Sequence, residues 1–143
     1  MKTNIAISNI KITLIMLSGL FMLVACEDLS PETPNACLQM EILVEGTDEY
    51  SISTTASVGE SVFFSSCGSA DKYALFTGDS GHDYDNPDDV GAYFSDAEGT
   101  RYQYSYEAAG TYTVVLVATN MSIGSTDVET ASDITSLEIN ITE

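Results

Sequence analysis

The strongest β-strand signal in the chain lies at residues 110–119, which read Gly-Thr-Tyr-Thr-Val-Val-Leu-Val-Ala-Thr. β-Branched and aromatic side chains dominate this stretch, and they are enriched in strands because they pack well on a pleated surface. Both alternating sets of positions become apolar toward Ala118, which is typical of a central strand covered on both faces. Gly110 precedes the strand, and we expect it to take a positive φ in a tight turn.

Shorter strand patterns surround this one. Apolar and polar residues alternate from Leu38 to Val44, with the period of two that marks a half-buried strand. Further strands are predicted at residues 51–53, 61–65, 72–77, 93–94, 101–106 and around 137–141. No window keeps helical spacing over three turns, so about seven short strands predict an all-β fold, a single antiparallel β-sandwich over residues 37–143.

An apolar run occupies residues 12–25, and the basic residues Lys2 and Lys11 precede it. The run has 14 residues, whereas a membrane-spanning helix needs ~20. It therefore has the length of the apolar core of a signal peptide. A buried helix of the domain is the alternative, but nothing downstream supplies a helical partner face.

The run ends in Leu23-Val24-Ala25-Cys26, which resembles the lipobox of bacterial lipoprotein signal peptides. The resemblance implies cleavage after Ala25 and attachment of acyl chains such as palmitate to Cys26. The mature protein would then be tethered to a membrane by its first residue. A secretory signal that is cut elsewhere and leaves Cys26 unmodified is the second alternative.

The expected organisation has three parts: a signal peptide at 1–25, an acylated cysteine with a linker at 26–36, and a domain at 37–143. Pro31 and Pro34 favour an extended linker. The acidic pair that follows Cys26 resembles the signals that send some lipoproteins to the outer face of the outer membrane. We therefore expect a lipid-anchored protein of the cell envelope, exposed at the surface of the outer membrane.

The charge of the mature chain limits its partners. All 22 carboxylates follow Cys26, and only Lys72 and Arg101 remain as side-chain cations, which gives a side-chain charge of −20. Such a chain repels phosphate backbones, so no nucleic-acid partner is expected. It also repels anionic headgroups, so the membrane link should be the acyl anchor and not a basic face.

Three segments of the domain resemble the PKD-like, immunoglobulin-related sandwich domains of bacterial surface proteins: residues 58–65, 73–79 and 106–114. The last matches the run Tyr-x-x-x-Gly-Thr-Tyr-Thr-Val of that family. The family tryptophan is Leu75 here, and its Gly-Asp-Gly has become Gly78-Asp79-Ser80-Gly81. These departures are similar to those of a divergent group of lipoproteins without an assigned function.

The resemblance implies an immunoglobulin-like sandwich in a cell-surface lipoprotein and, as context, surface glycan capture. Tyr106 and Tyr112 are expected to bury their rings while each hydroxyl reaches a partner near the rim. The resemblance also implies that the strands at 38–44 and 61–65 pair antiparallel, which brings Cys37 and Cys67 within bonding range. A disulfide is expected in an oxidising compartment, and two free buried thiols are the alternative.

Carboxylates crowd into the segment 78–91: Asp79, Asp83, Asp85, Asp88 and Asp89. Calcium accepts six to eight oxygen ligands in flexible geometry and is the cation that such a cluster would suit. The spacing does not fit an EF-hand, since Asp88 replaces the central glycine and Phe94 the final glutamate. A solvated loop closed by Asx-turns and a glycan or protein contact surface are the alternatives.

Three rings accompany those carboxylates: Tyr84, Tyr93 and Phe94. They would offer flat apolar faces to a sugar, or they cover the open end of the sandwich. His82 is the sole histidine, and no nucleophile motif or phosphate-binding loop occurs, so an enzyme is not expected. The sequence favours a non-catalytic binding or adhesion module, with a structural spacer or accessory subunit of an envelope assembly as the alternative.

Overall fold

The computed structural model describes residues 30–94, 101–123 and 127–143. The predicted signal peptide and Cys26 lie outside these residues. The described residues form strands, turns and irregular segments but no helix, so none of them makes a helix that could cross a membrane. The strands they contain are β1 (Leu38–Leu43), β2 (Tyr50–Ile52), β3 (Thr55–Ser57), β4 (Val62–Ser66), β5 (Lys72–Phe76), β6 (Ala92–Phe94), β7 (Tyr102–Tyr104), β8 (Gly110–Ile123) and β9 (Val128–Thr142).

The strands form two sheets. One has the order β2-β1-β4-β7 and the other the order β3-β9-β8-β5-β6. Every pairing is antiparallel except that of β3 with β9, which is parallel. The expectation of an all-β fold is confirmed for the residues that the structure describes. Strand β3 was not predicted, because Thr55-Ala56-Ser57 carries a single apolar position between two polar ones.

Both sheets contribute side chains to one hydrophobic core. Met40, Val62 and Phe64 come from the first sheet and are fully buried. The second sheet supplies Tyr73, Leu75, Val114, Leu116, Ala118, Ile139 and Ile141 to the same cluster. These residues occupy alternate positions of their strands, and the period-two pattern read from the sequence identifies the core faces of β1 and β4.

Two expectations about β8 need correction. The strand is central, but Val115 and Val117 on its outer face are only partly buried, so it is covered fully on one face alone. Gly110 has no positive φ, because it is already an extended residue that pairs with Ile141. Gly78 is one of the glycines that do have a positive φ, which is 74°, and its added Cβ would lie 2.5 Å from the carbonyl oxygen of Thr113.

A disulfide joins Cys37 and Cys67, as expected from the sequence, with their Cα atoms 4.9 Å apart. The two residues flank the antiparallel pairing of Leu38 with Ser66, and the Cys67 N–H donates to the Cys37 carbonyl at 3.0 Å. The closed loop spans 30 residues, which corresponds to roughly 3–4 kcal/mol of stabilisation in the chain-entropy model.

The segment before Cys37 packs on the domain. Asn35 and Ser69 exchange two backbone hydrogen bonds of 3.0 and 3.1 Å. Pro34, which directly precedes Asn35, is buried. The Ala36 N–H donates to Oδ2 of Asp133 at 2.9 Å. The second half of the expected linker is therefore held to the domain.

Strand β9 has one long open edge within the described part of the chain. It pairs with β8 along its whole length but with β3 only at Asn140–Thr142. At the middle of this edge the Ile134 N–H donates to Oδ1 of Asp133 at 3.0 Å. The same carboxylate thus closes one edge donor and, through its other oxygen, receives the Ala36 N–H.

Candidate functional site

The candidate site is the loop between β5 and β6, residues 77–91, with the strand that follows it. Its first turn is fixed at both ends, since the Gly78 N–H donates to the His82 carbonyl at 2.9 Å. The Tyr104 hydroxyl donates to Oδ2 of Asp79 at 3.0 Å, which ties this turn to β7. The loop therefore starts from a defined position at the end of the domain opposite the Cys37–Cys67 bond.

The loop carboxylates and one amide satisfy the loop's own backbone. Oδ1 of Asp79 accepts the N–H of the next residue at 2.7 Å, and three further side chains accept the N–H two residues ahead, as in Asx-turns. Those three bonds run from Asp85 N–H to Asp83 at 3.0 Å, from Asp88 N–H to Asn86 at 3.1 Å and from Gly91 N–H to Asp89 at 2.9 Å. This is the arrangement that the turn interpretation of the acidic cluster required.

The loop does not gather its acidic residues into a metal cage. No group of three or more His, Cys, Asp or Glu side chains in the described residues is placed to hold a metal ion. The five candidates Asp79, Asp83, Asp85, Asp88 and Asp89 instead serve successive turns or point to solvent. The placement of these side chains therefore gives the calcium interpretation no support.

The three predicted contact rings are divided among different surfaces. Tyr84 lies edge-on against Phe76 with the ring centroids 5.3 Å apart, and it covers the outer side of β5. Phe94 stacks on buried Tyr73 at 5.3 Å and packs against the core. Tyr93 points to the opposite face of β6 and is 65% exposed. Consecutive strand residues face opposite ways, so Tyr93 and Phe94 do not form one platform.

A cluster of tyrosines supports the loop from beneath. Tyr106 is buried, as expected, and its hydroxyl donates to the Thr77 carbonyl at 2.8 Å. Burial raises the pKa of Tyr106 far above its ordinary value, because the phenolate would lose its hydration. Burial also raises the pKa of Tyr104, to a smaller extent. The Tyr112 hydroxyl donates to the Ala108 carbonyl at 2.9 Å, so both tyrosines named in the sequence reach backbone partners.

A polar network on the outer face of the first sheet was not predicted. Arg101 Nε lies 2.6 Å from Oε2 of Glu41, and its guanidinium stacks over Tyr50 at 4.2 Å from the ring centroid. The hydrogen bond to Glu41 raises the pKa of Arg101, which stays charged. Gln39 donates to Ser65 at 3.1 Å beside the pair. The outward parity of Glu41 in β1 and the rarity of cations were the signals available in the sequence.

The outer face of the second sheet carries an apolar row. Registers across β6, β5, β8 and β9 align Tyr93, Ala74, Val117 and Ile134 side by side. Tyr93 and Ile134 at the ends of the row are exposed. Each of these residues could be assigned to an outward position from strand parity, but their alignment depends on register, which the sequence does not specify.

No protein-family model, no curated protein and no solved structure matches this chain.

Proposed function

We propose that this protein is a lipid-anchored component of the cell envelope whose immunoglobulin-like β-sandwich is a non-catalytic binding module, accessory to surface glycan capture. The observation that carries the proposal is the division of the three cysteines. Cys37 and Cys67 are bonded to each other, which leaves Cys26 as the one cysteine outside that bond, in the lipobox-like sequence Leu23-Val24-Ala25-Cys26. A disulfide also favours an exported, oxidising location.

The strand order supports the immunoglobulin-like assignment. Strands β1, β4 and β7 are neighbours in one sheet and β5, β8 and β9 in the other, as are the A-B-E and C-F-G strands of immunoglobulin domains. Tyr112, near the start of β8, bonds back to the Ala108 carbonyl. This contact is similar to the tyrosine corner that those domains carry near the start of strand F.

The binding surface in this proposal is the outer apolar row with the adjoining loop. Tyr93 presents an exposed ring there, and hydroxyl-bearing residues such as Thr119 and Ser132 lie on the same face. The net charge of −18 disfavours anionic ligands. A neutral glycan, which stacks on rings and exchanges hydrogen bonds with hydroxyls, fits this surface better than a charged polymer.

Metabolic labelling with an alkyne-bearing palmitate tests the anchor. We expect the wild-type protein to be labelled and recovered with membranes, and Cys26→Ser to lose the label and enter the soluble fraction. The double variant Cys37→Ser with Cys67→Ser is the matched control, and it should keep the label. Equal labelling of Cys26→Ser and wild type would refute the proposed anchor.

A structural spacer or accessory subunit is the second candidate. The packing of Tyr84 on Phe76 and of Phe94 on Tyr73 favours it, because these rings serve the fold and leave less of the loop for a ligand. A glycan array with the mature protein separates the two candidates. Binding that Tyr93→Ala abolishes supports the binding module, whereas no binding together with crosslinking to an envelope protein supports the spacer.

A further inference from the structure

We propose that the tip of the β8–β9 hairpin lies in the interfacial region of the lipid bilayer beside the N-terminal anchor. We define the hairpin tip as residues 121–123 of β8 and 128–130 of β9. This inference rests on the proposed acylation of Cys26. It assigns to the tip a ligand, the zwitterionic lipid surface, and it fixes which end of the domain faces the membrane.

The hairpin tip projects beyond the rest of its sheet. The pairing of β5 with β8 ends at Lys72 and Thr119. Past that point β8 pairs only with β9, and the ladder continues to Ile123 opposite Val128. The hairpin tip is therefore a two-stranded ribbon with a complete ladder between its strands and no third strand among the described residues.

One face of this ribbon is apolar and exposed. Ile123 is 79% exposed, Val128 61% and Met121 43%. Ile123 and Val128 are directly paired, and Met121 lies two residues along the same strand, so all three side chains point to the same face. Exposed apolar groups gathered at the end of a projecting element mark an interaction surface more strongly than the same residues scattered singly.

The N-terminal segment reaches the domain at the base of the hairpin tip. Nδ2 of Asn120, the residue just before the tip, donates to the Glu32 carbonyl at 2.9 Å. Oδ1 of Asn120 accepts the Asp71 N–H at 2.8 Å, and Oδ2 of Asp71 accepts the Met121 N–H, also at 2.8 Å. Asn120 thus joins the incoming chain, the start of β5 and the ribbon at one point.

The length of chain between Cys26 and Glu32 limits the distance to the membrane. Glu32 is six positions after Cys26, and six extended residues reach at most ~20 Å. The ribbon extends about 10 Å beyond Asn120, at 3.3 Å for each residue of a strand. An acylated Cys26 therefore holds the base of the hairpin tip so near the bilayer that the apolar tip itself comes within reach of the headgroups.

Charge decides which lipid surface suits the hairpin tip. Glu129 and Asp127 adjoin the apolar trio, and no lysine or arginine lies in the tip as described. Glu129 alternates with Val128 and so points to the other face of the ribbon. An acidic margin is repelled by anionic headgroups, so a neutral, zwitterionic surface is the better partner.

Tryptophan fluorescence tests the inference, because the chain contains no tryptophan of its own. The full-length acylated protein would carry Ile123→Trp, or Val128→Trp as a second position, in vesicles of phosphatidylcholine with and without a doxyl-labelled lipid. We expect a blue-shifted emission that loses most of its intensity to the doxyl group. Val90→Trp, at an exposed position in the loop at the opposite end of the domain, is the matched control and should not be quenched.

The outcomes separate this inference from the proposed anchor. Flotation of the vesicles and intact-mass measurement report whether the protein is acylated and bound. If it floats with its acyl chains and neither tip tryptophan is quenched, the tip does not lie in lipid, although the anchor stands. If the protein carries no acyl chain, the anchor and this inference fall together. Since the vesicles contain no other protein, quenching identifies lipid and not a protein partner as what the tip contacts.

Discussion

Different kinds of contact hold the chain in place at the two ends of the domain. At the end where the N-terminal segment arrives, the Cys37–Cys67 disulfide and the backbone bonds between Asn35 and Ser69 fix the chain. At the other end, tyrosine hydroxyls and aspartate side chains fix the β5–β6 loop through Thr77 and its own amides. The first end should respond to reductant, and the second should respond to alkaline pH through buried Tyr106 and not to reductant.

The acidic loop and the hairpin tip also differ in how much apolar surface they expose. The acidic loop looks like the functional element in the sequence, yet Asp79, Asp83 and Asp89 bond to the loop's own amides, and Asp85 and Asp88 are exposed. The hairpin tip looks like ordinary strand, yet its regular pairing presents Ile123 and Val128 to solvent. A regular ladder satisfies the backbone by itself and leaves its side chains free for a partner.

The largest effect is expected from removing the disulfide. Cys37→Ser with Cys67→Ser should lower the free energy of unfolding by about 3–4 kcal/mol, because the unfolded chain regains the freedom of a 30-residue loop. Urea denaturation with and without reductant measures this. Reductant should destabilise the wild type by the same amount and leave the double variant unchanged. A wild type that is insensitive to reductant after full reduction would show that the first end does not depend on the bond.

The next effect is expected at Gly78 in the loop end. Gly78→Ala should destabilise the domain by about 2–3 kcal/mol, because the positive φ disfavours an L side chain and the added Cβ would meet the Thr113 carbonyl oxygen. Gly81→Ala is the matched control, since its φ is 87° but its Cβ would meet nothing within 4 Å. It should cost about 1 kcal/mol. Equal losses in thermal unfolding would mean that the close approach to β8 is unimportant.

A smaller effect is expected for Tyr106→Phe, at about 1–1.5 kcal/mol for the lost hydrogen bond to the Thr77 carbonyl. The variant should also change the pH dependence. Burial raises the pKa of Tyr106, so its contribution is fully present below the unfolded pKa of about 10 and is lost as pH rises above it. Urea unfolding can be measured between roughly pH 8 and pH 11, on either side of that unfolded pKa. The free energy of unfolding should fall less steeply with rising pH in the variant than in the wild type. A parallel loss in both proteins would contradict this role.

The smallest effect is expected for Asp83→Asn with Asp85→Asn. Asparagine accepts the same backbone N–H as aspartate in an Asx-turn, so stability should change by less than about 0.5 kcal/mol. Calcium should not raise the melting temperature of either protein. A rise in the wild type that the double variant abolishes would overturn the turn interpretation and restore the cation site.

Much of the fold was accessible from the sequence because the core faces follow strand parity. Met40 in β1 and Phe64 in β4 are buried as the alternation predicted. For β8 the sequence predicted cover on both faces, whereas only the face of Leu116 is fully buried. The short strand β3 could not be predicted, since its three residues carry a single apolar position, Ala56. Gly110 was misjudged because a glycine before a strand signals a turn, whereas here it already belongs to the ladder.

The candidate site was harder to predict from the sequence than the fold. Sequence proximity grouped Tyr84, Tyr93 and Phe94, but Tyr84 packs on Phe76, Phe94 packs on Tyr73, and Tyr93 stays exposed. The Glu41–Arg101 pair joins residues 60 positions apart, and nothing local signals such a contact. Register, which aligns Tyr93 with Ile134 across four strands, emerges only when the sheet forms.

Asp133 would have a further consequence if the proposed lipid anchor confines the protein to the plane of a membrane. Tethered molecules meet at high local concentration and in similar orientation, which favours edge-to-edge joining of open strands into intermolecular sheets. The carboxylate that receives the Ile134 N–H and the Ala36 N–H interrupts the exposed edge of β9 near its midpoint. A strand of a neighbouring copy would have to displace a carboxylate that is already hydrogen-bonded. We therefore expect this one side chain to oppose the polymerisation of crowded copies.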